Sequence, residues 1–225
     1  MNRSLDAIKD RFVGYDRIYF VVAFDSGKPT IRAQLFDDYK ANRPSMPPLL
    51  KEGIPRIREI FDKKGFVMID APNGYEADDV IASLAKGFNQ KSIYTYIFSS
   101  DKDLLQLVND ITTVSLSKAK GGYEDVDMDN FSSLVRGLQP HQIPYLKALA
   151  GDKSDNYPGV DGLGDTTASA LLRTYGDLDN IYDHLEELST KCRNRLYGHK
   201  DRVLKFLELA TLNRDLDLSE WWYKI

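Results

Sequence analysis

Eight acidic side chains fall into four short groups along the 225-residue chain: Asp25; Glu76, Asp78 and Asp79; Asp101 and Asp103; Asp152 and Asp155. Gathered at one place, so many carboxylates could not all stay ionised without a cation, because like charges raise each other's pKa. An all-oxygen ligand set without paired His or Cys suits Mg²⁺ or Mn²⁺ rather than zinc. Two such ions about 4 Å apart activate a water and steady the leaving oxygen of a phosphodiester. Each group taken singly has a plainer reading. Acids in the first turn of a helix favour its dipole, which would account for Glu76-Ala77-Asp78-Asp79. Asp25-Ser26-Gly27, Ser99-Ser100-Asp101 and Asp152 to Asp155 could be turn or loop chemistry. Recurrence at one topological edge is what favours a shared site.

That edge follows from the elements around the acids. Arg17 to Phe24 is a short apolar run rich in β-branched and aromatic residues, as expected of a buried strand. Phe66 to Ile69, Ile93 to Phe98 and Ile111 to Leu116 read the same way. Helical patterns lie between them. Glu76 to Phe88 puts Val80, Ile81, Leu84 and Ala85 on one face, and Leu49 to Lys64 is interrupted by Pro55. Strands alternating with helices predict an α/β core with a mostly parallel sheet. Asp25 directly follows the first strand, Asp101 and Asp103 follow the third, and Glu76 to Asp79 open the helix after the second. Open α/β sheets bind ligands at these carboxyl ends.

After about Asp127 the pattern turns helical, over Pro140 to Ala150, Asp165 to Tyr175, Asp177 to Leu188 and Lys200 to Leu209. We therefore divide the chain into an α/β core, residues 1–126, and a helical region, residues 127–225. Asp37 to Pro48, with Lys40 and Arg43, reads as an exposed excursion from the core. Gly159-Val160-Asp161-Gly162-Leu163-Gly164 precedes a helix, where closely spaced glycines let backbone N–H groups approach a phosphate. A tight helix–helix connection would look the same. It is not a Walker loop, because no Gly-Lys-Ser/Thr follows.

Bulk properties narrow the partners. The formal charge of −4 becomes +4 once the eight clustered acids are set aside, so the rest of the molecule does not repel phosphate. Cys192 is the only cysteine, which excludes an intramolecular disulfide and a Cys-based zinc site. No apolar run reaches the ~20 residues that span a membrane, and the N-terminus lacks a signal-peptide core. A cytoplasmic monomer is the expectation.

Several motifs together resemble a known family. Gly74-Tyr75-Glu76-Ala77-Asp78-Asp79-Val80 is similar to the central acidic motif of the 5′ nuclease domain of bacterial DNA polymerase I and of phage and bacterial flap endonucleases. Val22-Ala23-Phe24-Asp25, Tyr39-Lys40-Ala41-Asn42-Arg43, Ser100-Asp101-Lys102-Asp103-Leu104 and Gly151 to Val160 resemble its other motifs, in the same order. The resemblance implies a PIN-like core with flanking helices, an arch segment at about residues 37–56, and a helical C-terminal region with a helix-hairpin-helix-like motif. It implies that Asp25, Glu76 and Asp78 serve a first metal and Asp101, Asp103, Asp152 and Asp155 a second, with Asp79 supporting them. Lys40 and Arg43 would face the scissile phosphate, Arg32 another phosphate, and Gly159, Gly162 and Gly164 would grip duplex DNA, with K⁺ bound there. The implied activity is two-metal hydrolysis of 5′-ended or 5′-flapped DNA. Two departures from the family pattern stand out. The family's first strand, ending in an aspartate, has no counterpart before Asn2 to Phe12, and Thr166 stands where a basic residue is common. They leave open a branched-DNA-binding module that cuts weakly.

Overall fold

The computed structural model describes residues 2–27 and 30–222. Helix α1 (Asn2–Asp10) is followed by β1 (Val21–Phe24), α2 (Ile31–Leu35), α3 (Pro48–Lys63), β2 (Val67–Asp70), α4 (Ala77–Gln90) and β3 (Thr95–Ser99). A 3₁₀ turn over Lys102–Leu107 leads to β4 (Thr112–Ser117) and β5 (Tyr123–Val126). The rest is helical: α5 (Phe131–Leu134), a 3₁₀ turn at Pro140–Gln142, α6 (Ile143–Ala150), α7 (Asp165–Tyr175), α8 (Leu178–Asp183), α9 (Thr190–Leu196), α10 (Lys200–Ala210) and α11 (Ser219–Trp222).

The strands pair in two sets. β1 runs parallel to β2, with Val21 opposite Val67 and Phe24 opposite Asp70. β3 runs parallel to β4, and β5 returns antiparallel along β4. One helix bears on both sets. From α4, Val80, Leu84 and Phe88 pack with Ile69 and Val21, while Ala82 and Ala85 pack with Ile97 and Val114. This is the apolar face expected from its sequence, and it holds the ends of β1 and β3 at one edge. A third core joins Leu149, Leu163, Leu172, Ile181, Leu196 and Phe206 in the helical region. Each fully buried Leu or Ile contributes about 1.5–3 kcal/mol relative to exposure.

Several expectations change. Pro55 does not interrupt the second helical segment; α3 is continuous from Pro48 to Lys63. The Pro55 ring is exposed, so water can take the carbonyl bond that its missing N–H leaves open. Residues 37–43 are largely exposed, as expected, but anchored to the body at Tyr39 and Lys40. Tyr39 is buried in the helical region's core, with Ala33, Leu35 and Phe36 packed against that core. The backbone N–H of Lys40 donates to the Asp155 carbonyl (2.9 Å), and Asn42 and Asn156 tie the two loops further. From Ala41 to Leu50 every residue is exposed. The first strand starts at Val21 rather than Arg17, the expected 177–188 helix ends in a 3₁₀ turn after α8, and β5 was not expected.

Candidate active site

The start of α4 is built from the acids themselves. Glu76 is its N-cap, and Asp79 accepts the Glu76 backbone N–H at 3.0 Å, so two otherwise unpaired donors are satisfied reciprocally. Asp25, at the end of β1, accepts the Ala77 N–H at 2.8 Å and so ties the strand end to the helix start. Glu76 receives Lys40 Nζ at 2.8 Å and the Tyr39 hydroxyl at 3.1 Å. The same hydroxyl lies 3.0 Å from Asp155 Oδ2, and Arg43 Nη2 donates to Asp155 Oδ1 at 2.7 Å. Tyr39 has one proton for two carboxylates; its burial, with Glu76 and Asp155 beside it, pushes the phenol well above its ordinary pKa. Asp25, Thr30, Tyr39, Lys40, Arg43 and Glu76 line a cleft of about 270 Å³.

The second cluster is organised by a lysine. Asp101 caps the 3₁₀ turn by accepting the Asp103 N–H at 2.9 Å. Lys147, from α6, sets its ammonium against the Asp103 carboxylate and 2.5 Å from Asp152 Oδ2. Burial opposes ionisation of Asp152, but Lys147, with hydrogen bonds from Ser154 and Asp155, holds its carboxyl down at about 2. Asp78 has the opposite balance. Burial first, then Asp101, Glu76 and Asp25, against the opposing pull of Lys40, push its carboxyl up to about 7. Among the described residues nothing hydrogen-bonds to its side chain.

Residues 4–133 match the family model for the 5′-3′ exonuclease, N-terminal resolvase-like domain, and residues 138–224 that for the 5′-3′ exonuclease, C-terminal SAM fold. The chain is 38% identical over 203 residues to the 5′-3′ exonuclease of Mycoplasma pneumoniae, covering 90% of this chain and 69% of the relative. The chain belongs to the 5′-3′ exonuclease family. It is also 39% identical over 204 residues to DNA polymerase I of Bacillus subtilis, 89% of this chain but 23% of that enzyme. In fold, the exonuclease is similar to the bacteriophage T5 D15 flap endonuclease solved as a pseudo-enzyme-product complex with DNA and metal ions. The TM-score is 0.76 at 22% identity, over 94% of this chain and 81% of that one. The protein is thus a 5′ nuclease with an α/β core and a helical C-terminal region.

The exonuclease's donor set suits a hard divalent cation: it is all carboxylate, and Asp78 carries charge that its neighbours aggravate. The side chains are not drawn together as one group. Among the described residues no three acidic, His or Cys side chains converge as a metal-holding set. Instead lysine and arginine interleave them, Lys40 on Glu76, Lys147 on Asp103 and Asp152, and Arg43 on Asp155.

Three expected roles are corrected. Asp79 is fully buried and both its oxygens are taken by Arg32, the Glu76 N–H and the Asn213 N–H, so it is no metal ligand. Arg32 is 9% exposed and points into the protein, so it faces no phosphate. Gly159 is buried, with φ +66°, and its Cα lies against the Gly151 backbone, so its lack of a side chain serves packing rather than DNA contact. Gly162 and Gly164 are exposed. Gly162 has φ +75°, with the Arg195 guanidinium over it. Gly164 N-caps α7 without a side-chain cap, facing open space. Sequence reasoning passed over Tyr39 and Lys147. Tyr39 stands in the quoted motif, and Lys147 is the one charged residue in the apolar run Ile143 to Ala150.

Proposed function

We propose that the exonuclease cuts phosphodiesters of 5′-ended and 5′-flapped duplex DNA at the edge formed by Asp25, Glu76, Asp78, Asp101, Asp103, Asp152 and Asp155. Two Mg²⁺ or Mn²⁺ ions held by these carboxylates would supply Lewis acidity and a nucleophilic water at neutral pH. Lys40 and Arg43 sit at the mouth of the cleft on the same carboxylates. Lys40 and Arg43, whose carboxylate partners would also serve the ions, would then be available to the scissile phosphate, where negative charge grows in the transition state. Tyr39 keeps the Glu76 and Asp155 sides in register. The exposed turn at Gly162 to Gly164 contacts the duplex backbone, with K⁺ a candidate ion there. Backbone contacts carry no base sequence, so preference is for DNA structure. The protein works as a monomer on DNA in the cytoplasm; among the described residues no helix is long and apolar enough to cross a membrane.

One observation carries this reading: Lys40, Tyr39 and Arg43, three neighbours in sequence, reach carboxylates from two separate groups. The test compares single-turnover cleavage of a 5′-flap duplex with its dissociation constant in Ca²⁺ for Lys40→Ala. The rate should fall far more than the affinity, which is shared among many phosphates. Equal losses would reduce Lys40 to an anchoring charge.

A further inference from the structure

Arg32 makes five hydrogen-bonding contacts from its guanidinium, as many as it has N–H groups. Nε donates to the Leu209 carbonyl (2.9 Å) and Nη2 to the Thr211 carbonyl (2.9 Å) and Asp79 Oδ1 (2.7 Å). Nη1 donates to Asp79 Oδ2 (2.8 Å) and reaches Glu76 Oε2 at 3.5 Å. Asp79 in turn accepts the Asn213 N–H at 2.9 Å. From the other side, Gln106 Nε2 donates to the Ala210 carbonyl (3.1 Å) and its Oε1 accepts the Leu212 N–H (3.0 Å). The same Nε2 lies 2.9 Å from the Asp103 carbonyl.

The partners alternate along the chain. Leu209, Thr211 and Asn213 are gripped by the Arg32–Asp79 pair, and Ala210 and Leu212 by Gln106. These are the end of α10 and the residues beyond it, whose carbonyls a helix leaves without internal partners. Asp79 belongs to the start of α4, beside Glu76, and Arg32 reaches it from α2. Gln106 belongs to the 3₁₀ turn that begins with Asp101 and Asp103. One short strap is therefore clamped at once to both acidic groups and to the helical region.

We infer that residues 209–213 are a strap that fixes the spacing of the two carboxylate groups, and that Arg32 and Gln106 are positioning residues for cleavage acting through it. The inference rests on the cleavage edge proposed above. Gln106 is 3% exposed and hydrogen-bonds none of the proposed metal-holding carboxylates, and buried Arg32 reaches only one of them, Glu76, at 3.5 Å. Their effect is on geometry, to which metal-assisted hydrolysis is sensitive.

Gln106→Leu keeps the volume and removes both strap bonds; Arg32→Lys keeps the charge that Asp79 needs but cannot span the same acceptors. In each variant that folds by circular dichroism, single-turnover cleavage of a 5′-flap duplex should fall roughly 10- to 100-fold. The Mg²⁺ concentration for half-maximal rate should rise. The flap dissociation constant in Ca²⁺ should stay within about twofold, since phosphate contacts are intact. A folded Gln106→Leu protein with wild-type rate and Mg²⁺ dependence would overturn the inference. So would a loss of flap affinity in Arg32→Lys well beyond twofold, which a residue acting only through the strap would not cause. Glu76→Gln separates the two levels: full activity there defeats the cleavage edge itself, whereas an inactive Glu76→Gln beside normal strap variants defeats only the strap. If neither strap variant folds, hydrogen exchange on the wild type decides. Ca²⁺ should slow exchange at the Leu212 and Asn213 amides, and unchanged exchange there would refute the coupling.

Discussion

Replacing Asp78 by Asn should stabilise the protein in EDTA and abolish cleavage, and the stabilisation should depend on pH. The Asp78 carboxyl is raised from its ordinary 3.8 to about 7 in the folded state, by burial and then by Asp101, Glu76 and Asp25. A raised folded pKa means that the unfolded chain gives up its proton first. Stability is therefore fully present below about pH 4 and is lost as pH rises towards 7, after which the loss is constant. At about 1.36 kcal/mol per pH unit, the interval sets a ceiling of about 4 kcal/mol. Asp78 keeps part of its solvent, so about half that, roughly 2 kcal/mol, is the realistic scale. For a chain of this size that is about 4–8 °C in Tm.

The assay is thermal melting of wild type and Asp78→Asn in EDTA at pH 4, 6 and 8. The variant should match the wild type near pH 4 and pull ahead by pH 8. Added Mg²⁺ should raise the wild-type Tm at pH 8 and move the variant much less, because a neutral amide offers the ion little charge. A Tm advantage of equal size at every pH, or none at pH 8, would refute the claim that Asp78 carries unrelieved charge.

Lys147→Met should destabilise the protein in EDTA by about 3 kcal/mol, because breaking a buried ion pair leaves Asp103 and Asp152 uncompensated. Urea unfolding measures this, and the Asp152 carbon resonance should titrate above its present pKa of about 2. Gly159→Ala should cost at least about 1–3 kcal/mol, from a left-handed φ and the Gly151 backbone against any added methyl. Gly164→Ala, facing open space with an ordinary φ, should cost within about 1 kcal/mol. Differential scanning of the two variants separates packing from exposure in this loop.

Strands β1 to β4 and helix α4 were legible because local pattern determines them, whereas β5 was missed and α3 was read as broken at Pro55. The apolar runs at Val21, Val67 and Thr95 read as strands wherever they pack, and α4 shows its face in Val80, Leu84 and Ala85. What could not be read was the role of charges whose partners lie far along the chain. Arg32 and Lys40, eight residues apart, both look like surface cations, each flanked by an alanine and one larger side chain. One is buried on Asp79, 47 positions away, and the other lies partly exposed on Glu76. Asp78 and Asp79 are adjacent in one motif, yet the helix turn sends one into an ion pair and the other to the edge. Pro55 misled for the converse reason: its cost depends on whether water reaches the carbonyl it deprives, which is a property of the surface rather than of the sequence.

The charge count of the edge argues for the number of ions. Eight acids were read from sequence as one cluster, but four cations come with them: Lys40 on Glu76, Arg43 on Asp155, Arg32 on Asp79, and Lys147 between Asp103 and Asp152. Four negative charges are left over. Among the described residues Asp25, Asp78 and Asp101 form no ion pair with a cationic side chain, so the excess is concentrated at the ends of β1 and β3 and at the start of α4. One divalent ion would neutralise half of it, and the charge pressing on Asp78 would persist. Two would balance it, and Lys40 or Arg43, where displaced from its carboxylate, would add positive charge beside the cleft. A phosphodiester brings negative charge to that same place. On the proposed reading, the interleaved cations would govern both how many ions the edge holds and which substrate charge it receives.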